Sequence, residues 1–393
     1  MASAKGSDRP VIIVGGGIGG LATALALALK GIRSLLLEQS AEFREVGAGI
    51  QLGPNVFRRF DALGIRAAIE KDAVFPENLI MRDALTGEEV TRMPLGERCI
   101  ARFGTPYAVT HRADLHQTLL DACRAQGLIE LRNAAKVAGW QDDGAAVTVT
   151  LADGERITGD CMIACDGLWS QVREQIVGDG KPRVSGHIAY RAVLPAAEVP
   201  PGQFENNVVL WAGPKTHLVH YPLRRAELYN LVAVFHSSRY EEGWNSFGDP
   251  AELNERFRNQ QPQVHALLDK IDSWRMWVLC DREPVANWTK GRVTLLGDAA
   301  HPMLQYLAQG ACMAIEDAVC LAEKLAARRG DPDAAFIAYQ QERYLRTARV
   351  QVMARVYGDF YHATGPVREL RNMALAGRTA EQAYDGNQWL YGG

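Results

Sequence analysis

Two uninterrupted apolar runs frame the chain. Val11–Val14 leads into Gly15-Gly16-Gly17-Ile18-Gly19-Gly20, and Val293-Thr294-Leu295-Leu296 leads into Gly297-Asp298. Short Val/Ile/Leu runs closed by glycine predict strands covered on both faces, as in a parallel sheet. From Ile18 to Lys30 the chain is rich in Leu and Ala and predicts a helix. Ser34–Leu37 predicts a second parallel strand with Glu38 at its carboxyl end, which completes a βαβ unit.

The pattern continues with a glycine-rich loop over 47–55 and a helix to about Leu63, stopped by Gly64. Another helix opens at His111, with Leu115, Leu119 and Ala122 on one face. Val137–Trp140 and Ala145–Leu151 predict a hairpin around Asp142-Asp143-Gly144, and a further strand ends in Ala164-Cys165-Asp166-Gly167. From Ser185 to about Arg282 the texture changes. Strand-like runs at 187–194, 207–211, 216–222 and 228–236, with helical stretches near 250–270, predict a mixed, largely antiparallel sheet inserted into the first domain. The strand at 292–296 returns to the first type. A helix at about 311–328, a break at Arg329-Gly330-Asp331-Pro332 and a long helix to about Tyr357 follow. The apolar tail Trp389-Leu390-Tyr391 is expected to pack on the body or on a neighbouring subunit, which hints at a homodimer.

Composition narrows the class. In 393 residues, 43 basic and 46 acidic side chains give a net charge of −3, which favours neither nucleic acid nor an anionic membrane. Seven scattered cysteines with no Cys-x-x-Cys pair point to free thiols in the cytoplasm rather than to disulfides or zinc. His111-x₄-His116 lacks a third ligand, so no metal is expected. Val11–Leu29 carries no charge and imitates a targeting segment or a membrane span, but its five glycines fit a strand–turn–helix better.

In Gly15-x-Gly17-x-x-Gly20, Gly15 permits the tight turn, Gly17 lets the backbone approach a pyrophosphate, and Gly20 lets the helix pack on the strand. The helix N-terminus at Ile18 then offers N–H groups to phosphates. Glu38, followed by Gln39, is in register for a ribose diol. Gly297-Asp298 by itself fits either a surface turn or a contact to the ribityl and ribose hydroxyls of an extended FAD. Gly310-Ala311-Cys312 at the start of a helix strengthens the second reading, since a helix N-terminus near the pyrimidine of a flavin would stabilise its anionic reduced ring. Asp166-Gly167 is either a simple strand-to-helix turn or an ordered bridge between flavin and nicotinamide phosphates. The fold expected is therefore α/β. A Rossmann-type FAD-binding domain (1–184, returning at 284–330) carries the inserted sheet domain for substrate (185–283) and a C-terminal helical segment (331–393).

Together these motifs resemble the single-component FAD-dependent aromatic hydroxylases of the p-hydroxybenzoate hydroxylase fold family, over nearly the whole chain. The runs that carry the resemblance are 47–54, 106–112, 213–222 and 301–308. The resemblance implies that Gly49 and Arg112 lie at the flavin and that Val137 lines the adenine. Many members carry Pro where this chain has Gln305 and Asn where it has Cys312. Gln305 shifts the resemblance toward members that hydroxylate 3-hydroxybenzoate para to its hydroxyl, giving gentisate, and away from salicylate 1-hydroxylases, which remain the alternative within the family. The implied chemistry uses NADH (in preference to NADPH) and O2, through a flavin C4a-hydroperoxide, on a small aromatic carboxylate. A non-catalytic FAD- or NAD-binding sensor and a plain NAD dehydrogenase are the readings outside it.

Within that chemistry the phenol, with a pKa near ~10, needs a base or strong acceptor. His217 is the candidate base, its unperturbed pKa near ~6.5 suiting partial proton transfer. Gln305 is the candidate for orienting phenol and ring. Tyr221, four residues after His217 on one strand face, completes the catalytic set, and Tyr107 is a pocket candidate. Without the resemblance, His217 and Tyr221 also fit ordinary packing inside an apolar strand. His220 should face the other side of the sheet, and His301 should cap a turn.

Overall fold

The computed structural model describes residues 9–45, 47–238 and 246–392. Strand β1 (Val11–Val14), helix α1 (Ile18–Leu29) and strand β2 (Ser34–Leu37) form the expected βαβ unit. They sit in a six-stranded sheet whose order is Thr289–Lys290, Val293–Leu295, Met162–Ala164, β1, β2, Ile129–Arg132. All pairs are parallel except that of the edge strand Thr289–Lys290. Ile12, Ile13, Leu36 and Ile163 are fully buried, as a sheet covered on both faces requires. The turn into α1 is built for glycine. Gly15 has φ +106°, and a Cβ on Gly20 would stand 1.9 Å from the Gly15 carbonyl oxygen.

A seven-stranded sheet forms the second layer. Its order is Arg275–Asp281, Arg183–Pro195, β4 (Leu228–His236), β3 (Thr216–Leu223), Val208–Gly213, Asn78–Asp83, Glu89–Pro94. Neighbours are antiparallel except Val208–Gly213 on Asn78–Asp83. The expected boundary of 185–283 is corrected here. Two strands from the first segment, Asn78–Asp83 and Glu89–Pro94, complete this sheet. Alternating apolar residues reveal a strand's buried face but not which sheet it joins. Part of the expected 47–55 loop is also ordered: Gly49–Leu52 pairs antiparallel with Ala108–His111. The hairpin near 142–144 joins Val137–Asp142 to Val147–Leu151, with Arg156–Gly159 as a third strand.

The C-terminal third is helical. Helix α2 (Gly310–Ala327) packs on α1 and on α3 (Pro332–Tyr361), which runs one turn beyond the expected end. Helices α4 (Gly365–Leu375) and α5 (Ala380–Tyr391) follow. The tail packs on its own body. Leu390 and Tyr391 are buried, and Tyr391 meets the rings of Phe103 and Tyr107 edge-on. The tail therefore gives no reason to invoke a second subunit.

Buried ions lock these helices to the Gly297-Asp298 turn. Asp317 on α2 accepts from Arg343 Nε (2.6 Å), from the Gly297 N–H (3.2 Å) and from His301 Nε2 (2.5 Å). Glu316 accepts from Arg343 (2.7 Å), Arg346 (2.6 and 2.7 Å) and Asn55 (2.7 Å). Burial alone would raise the Asp317 carboxyl. The fields and hydrogen bonds of His301 and Arg343 outweigh it and hold the group down at about 2. Arg343→Ala would leave two buried carboxylates short of their cation and should destabilise the fold by about 3–5 kcal/mol, read as a lower urea midpoint. Because the folded pKa of Asp317 is depressed, its contribution is full above the unfolded value of about 3.9 and disappears as pH falls toward 2. The gap between parent and variant should close over that window.

Candidate active site

One cavity of about 1230 Å³ runs between the two sheets. Its first part follows the carboxyl edge of the parallel sheet, where strand order fixes the sequence of groups. Glu38 closes β2, Gly15–Gly17 follow β1, Asp166 follows Met162–Ala164, and Asp298 follows Val293–Leu295. Three strand spacings separate the first from the last, roughly 14 Å. All these residues line the same cavity, so Glu38 and Asp298 stand on one continuous trench.

The trench fits an extended dinucleotide. The N-termini of α1 and α2 both open on it, and neither has a side-chain cap. Gly15, Gly17, Ile18, Gln39, Gly49, Val137, Gly310 and Ala311 also line it. Glu38 accepts from the Gly16 N–H (2.7 Å) and the Ser40 N–H (2.8 Å), which fix its carboxylate at the trench wall. Buried polar atoms on the lining that lack protein partners include Asp166 Oδ1, Arg112 Nε and Trp140 Nε1. Such atoms call for a polar ligand. The other Asp166 oxygen accepts from the N–H groups of Gln171 (3.1 Å) and Val172 (3.4 Å). Arg112 holds Glu45 at 3.2 Å. Asp298 shows its side chain to the cavity yet lies deep in the protein, so burial raises its carboxyl, with His301 and Arg112 opposing.

One expected contact is corrected. Cys312 is fully buried and off the cavity wall, its thiol turned to the Gln51 carbonyl at 3.8 Å, because one residue along α2 rotates the side chain by about 100° from Ala311. Gly20 also lies off the wall. Its role is the close packing of α1 on the Gly15 turn.

The second part of the cavity is a chamber under the antiparallel sheet. His217 and Tyr221 share one face of β3 and both line it. Between them Val219 stands in a row across the sheet with Val232 and Arg191. Arg191 was missed in the sequence. Its signal is a lone cation inside the apolar 187–194 run, two residues out of phase with nothing: His187, Ala189 and Arg191 share one face. Among the described residues no carboxylate pairs with Arg191. Its Nη2 donates to Gln305 Oε1, its guanidinium lies 5.2 Å from the Trp277 ring centre, and its Nε is buried without a partner. Burial pulls the guanidinium down to about 10, with Tyr221 raising it and Arg112 lowering it. Gln305, on the short turn Gln305–Leu307, thus has its oxygen engaged, leaving its amide N–H groups to donate. Tyr107 donates to Gln51 Oε1 and packs on Tyr391.

His217 departs from the value expected for a free imidazole. Burial, then the field of His187, lowers it to about 3. The ring is neutral, with Nδ1 2.7 Å from His362 Nε2. His220 faces away, bonded to Trp211 (3.0 Å) and Tyr229 (2.7 Å). His301 is buried against Asp317 rather than simply capping a turn, and His116 bonds the Gly16 carbonyl (2.8 Å). No helix among the described residues is long and apolar enough to cross a membrane.

Asp298→Ala should weaken FAD about 10–100-fold, the loss of hydrogen bonds to a charged group. Flavin absorbance per subunit after purification, and FAD titration of the stripped protein, measure it.

Comparisons with known proteins agree with this geometry. The FAD binding domain family matches residues 8–354. The chain is 48% identical over 381 residues to a 3-hydroxybenzoate 6-hydroxylase of Klebsiella oxytoca, covering 97% of this chain and 96% of that protein. It is 46% identical over 383 residues to 3-hydroxybenzoate 6-hydroxylase 1 of Aquipseudomonas alcaligenes, covering 97% of each. The crystal structure of Klebsiella pneumoniae HpxO complexed with FAD and uric acid matches with a TM-score of 0.86 at 26% identity, covering 98% of this chain and 97% of that one. A trench built for a flavin dinucleotide, joined to an enclosed chamber and matched over nearly its full length, places the chain in the FAD binding domain family, among the FAD-dependent aromatic hydroxylases.

Proposed function

We propose that this protein hydroxylates 3-hydroxybenzoate para to its hydroxyl, giving gentisate and consuming NADH and O2. The observation that carries the reading is the chamber itself. A half-buried arginine with no carboxylate partner among the described residues and a neutral histidine line one largely apolar space, a pairing suited to an aromatic acid that also bears a phenol. The two relatives, both named 3-hydroxybenzoate 6-hydroxylases, support the same substrate.

FAD, when bound, would supply the redox chemistry that links NADH and O2 to ring hydroxylation. The chain's residues do the rest. Arg191 pairs with the substrate carboxylate through charge-assisted hydrogen bonds. The Gln305 amide donates toward the substrate and holds the ring at a fixed angle. His217 accepts the phenolic proton as the ring becomes electron-rich, and Tyr221 closes the side of the pocket next to it. Gly17, Glu38, Arg112, Asp166 and Asp298 would hold the flavin, with Gly310 and Ala311 offering it the N-terminus of α2. We infer also that the protein is a cytoplasmic homodimer. Its seven cysteines are free, and Val367, Leu370 and Met373, three residues apart on α4, are 63–72% exposed, an apolar helix face suited to a second copy. Light scattering at micromolar concentration should give twice the chain mass.

The deciding experiment supplies the purified protein with NADH and each hydroxybenzoate isomer, then separates the products. 3-Hydroxybenzoate should drive NADH oxidation and appear as gentisate. Catechol from salicylate, with no gentisate from the 3-isomer, would overturn the assignment in favour of the salicylate 1-hydroxylase reading. Arg191→Met should raise KM for 3-hydroxybenzoate roughly 30-fold or more, as expected when a desolvated charge loses its partner, while flavin content stays at the parent level. An unchanged KM would remove Arg191 from the carboxylate.

A further inference from the structure

Four histidines meet where β3 and β4 reach the end of α3, and the reaction proposed above uses only His217. His217 Nδ1 lies 2.7 Å from His362 Nε2, and His362 Nδ1 lies 3.0 Å from His236 Nε2. His217 and His362 are buried, whereas His236 is half-buried at the end of β4. The fourth, His187, stacks on His236 with ring centres 4.2 Å apart and bonds the Tyr306 hydroxyl (2.5 Å).

A neutral imidazole carries one proton and two nitrogens, so it can accept on one side while donating from the other. This row uses that property twice. His217 Nδ1, both nitrogens of His362 and His236 Nε2 are engaged within it. The two remaining nitrogens, His217 Nε2 and His236 Nδ1, make no hydrogen bond among the described residues. The first belongs to a ring on the chamber wall, the second to the half-buried ring. The row is therefore open at both ends.

The surroundings do not favour storing charge. His217 is faced by His187 and the rings of Tyr306 and Tyr361, and His362 by the other three histidines and Arg371. Lys215, Asp359 and Arg256 surround His236. Burial lowers His217 to about 3, His187 to about 4 and His362 well below the usual value. A ring in this setting is a poor resting place for a second proton. It can serve as a base only if it releases one proton as it takes another.

We propose that His217, His362 and His236 form a proton relay between the active-site chamber and the protein surface, carrying the phenolic proton of the substrate outward. The relay rests on the reaction proposed above. The substrate O–H bond breaks as N–H forms at His217 Nε2. The His217 Nδ1 proton passes to His362 Nε2, the His362 Nδ1 proton passes to His236 Nε2, and the proton on His236 Nδ1 leaves to water. One proton enters, one departs, and each ring ends neutral as its other tautomer. The same path run backward reprotonates the product and resets the rings. His362 and His236 touch no substrate; they are positioning residues acting through His217. A metal ion is the competing use of His187, His236 and His362, whose ligand atoms all lie within 4.8 Å of one another. The cluster holds only imidazoles, and both His362 nitrogens already face another ring.

The test uses the full-length, FAD-loaded enzyme with 3-hydroxybenzoate and the variant His236→Asn, whose amide cannot relay a proton. kcat for gentisate should fall roughly tenfold or more, the scale of general acid–base catalysis, with KM within twofold and flavin content unchanged. The solvent deuterium isotope effect on kcat should exceed that of the parent, and imidazole in the buffer should restore the rate with a saturating dependence. His362→Gln should show the same loss without rescue, since its ring is enclosed. A parent-like kcat and isotope effect in His236→Asn would overturn the relay while leaving the reaction intact. So would a fall in kcat with neither isotope effect nor rescue, or one equivalent of transition metal in the purified protein. A parent enzyme that forms no gentisate would overturn the proposed reaction, and the relay with it.

Discussion

The Asp317 carboxylate has no route to water, and the flavin end of the site depends on how it is neutralised. It binds the Gly297 N–H and His301 on one side and Arg343 on the other, so the turn that presents Asp298 cannot move without stranding a buried charge. Arg346 carries the constraint further. It binds Glu316 and also donates to the carbonyls of Trp389 (3.2 Å) and Leu390 (3.0 Å), which seats the tail. Tyr391 at that tail packs against Tyr107 on the cavity wall. Arg173 reaches the same turn from the opposite direction, donating to the carbonyls of Ala299 (3.0 Å) and Ala300 (2.5 Å). Ionic ties of this kind add little net stability over apolar packing, but they forbid alternative registers. A site that must hold a long dinucleotide at fixed points benefits from that restriction.

The two sheets divide the work. The parallel sheet ends in a line of glycines and carboxylates, groups that bind phosphate and hydroxyls through backbone and short side chains. The antiparallel sheet offers a broad face from which long side chains project in rows. Desolvation then gives those side chains their chemistry. It suits Arg191 to the anion-binding role proposed for it, because a charge in a drier setting attracts its partner more strongly. It also strips His217 of the ability to keep a proton. The same dryness that protects a reactive oxygen species from water therefore creates a need for a proton path.

Local features of the fold were legible because they are local. The glycine turn, α1 and Glu38 lie within one stretch of chain, and each residue type has a steric or electrostatic reason to be there. The Gly297-Asp298 turn was legible for the same reason. Long-range pairing was not. Nothing within Asn78–Asp83 says that its partner is Val208–Gly213, more than a hundred residues away. Arg191 escaped because a single cation in an apolar strand reads as an irregularity until its row-mates Val232 and Val219 are known. Cys312 was misassigned by the reverse error, since a motif gives the position along a helix but not the rotation of each side chain about it. The histidine row draws on 217, 236 and 362, so no window of sequence could contain it.

Regiochemistry follows from where the two polar ends of the substrate are held. In 3-hydroxybenzoate the carboxylate and the phenol stand meta to each other, so fixing both leaves the ring no freedom to rotate in its plane. Arg191 and His217 lie on different strands of one sheet, two strands apart, a separation set by backbone pairing rather than by flexible loops. Gln305 approaches from the other layer, on the turn that follows the Asp298 motif, and is bonded directly to Arg191. The residue proposed to bind the carboxylate is thereby coupled to the segment proposed to hold the flavin. On the proposed reading, a substrate with its hydroxyl ortho to the carboxylate would leave Arg191 or His217 without its partner. Rejection of the wrong isomer then arises from a buried polar group left without its partner, the costliest kind of mismatch a dry pocket can impose.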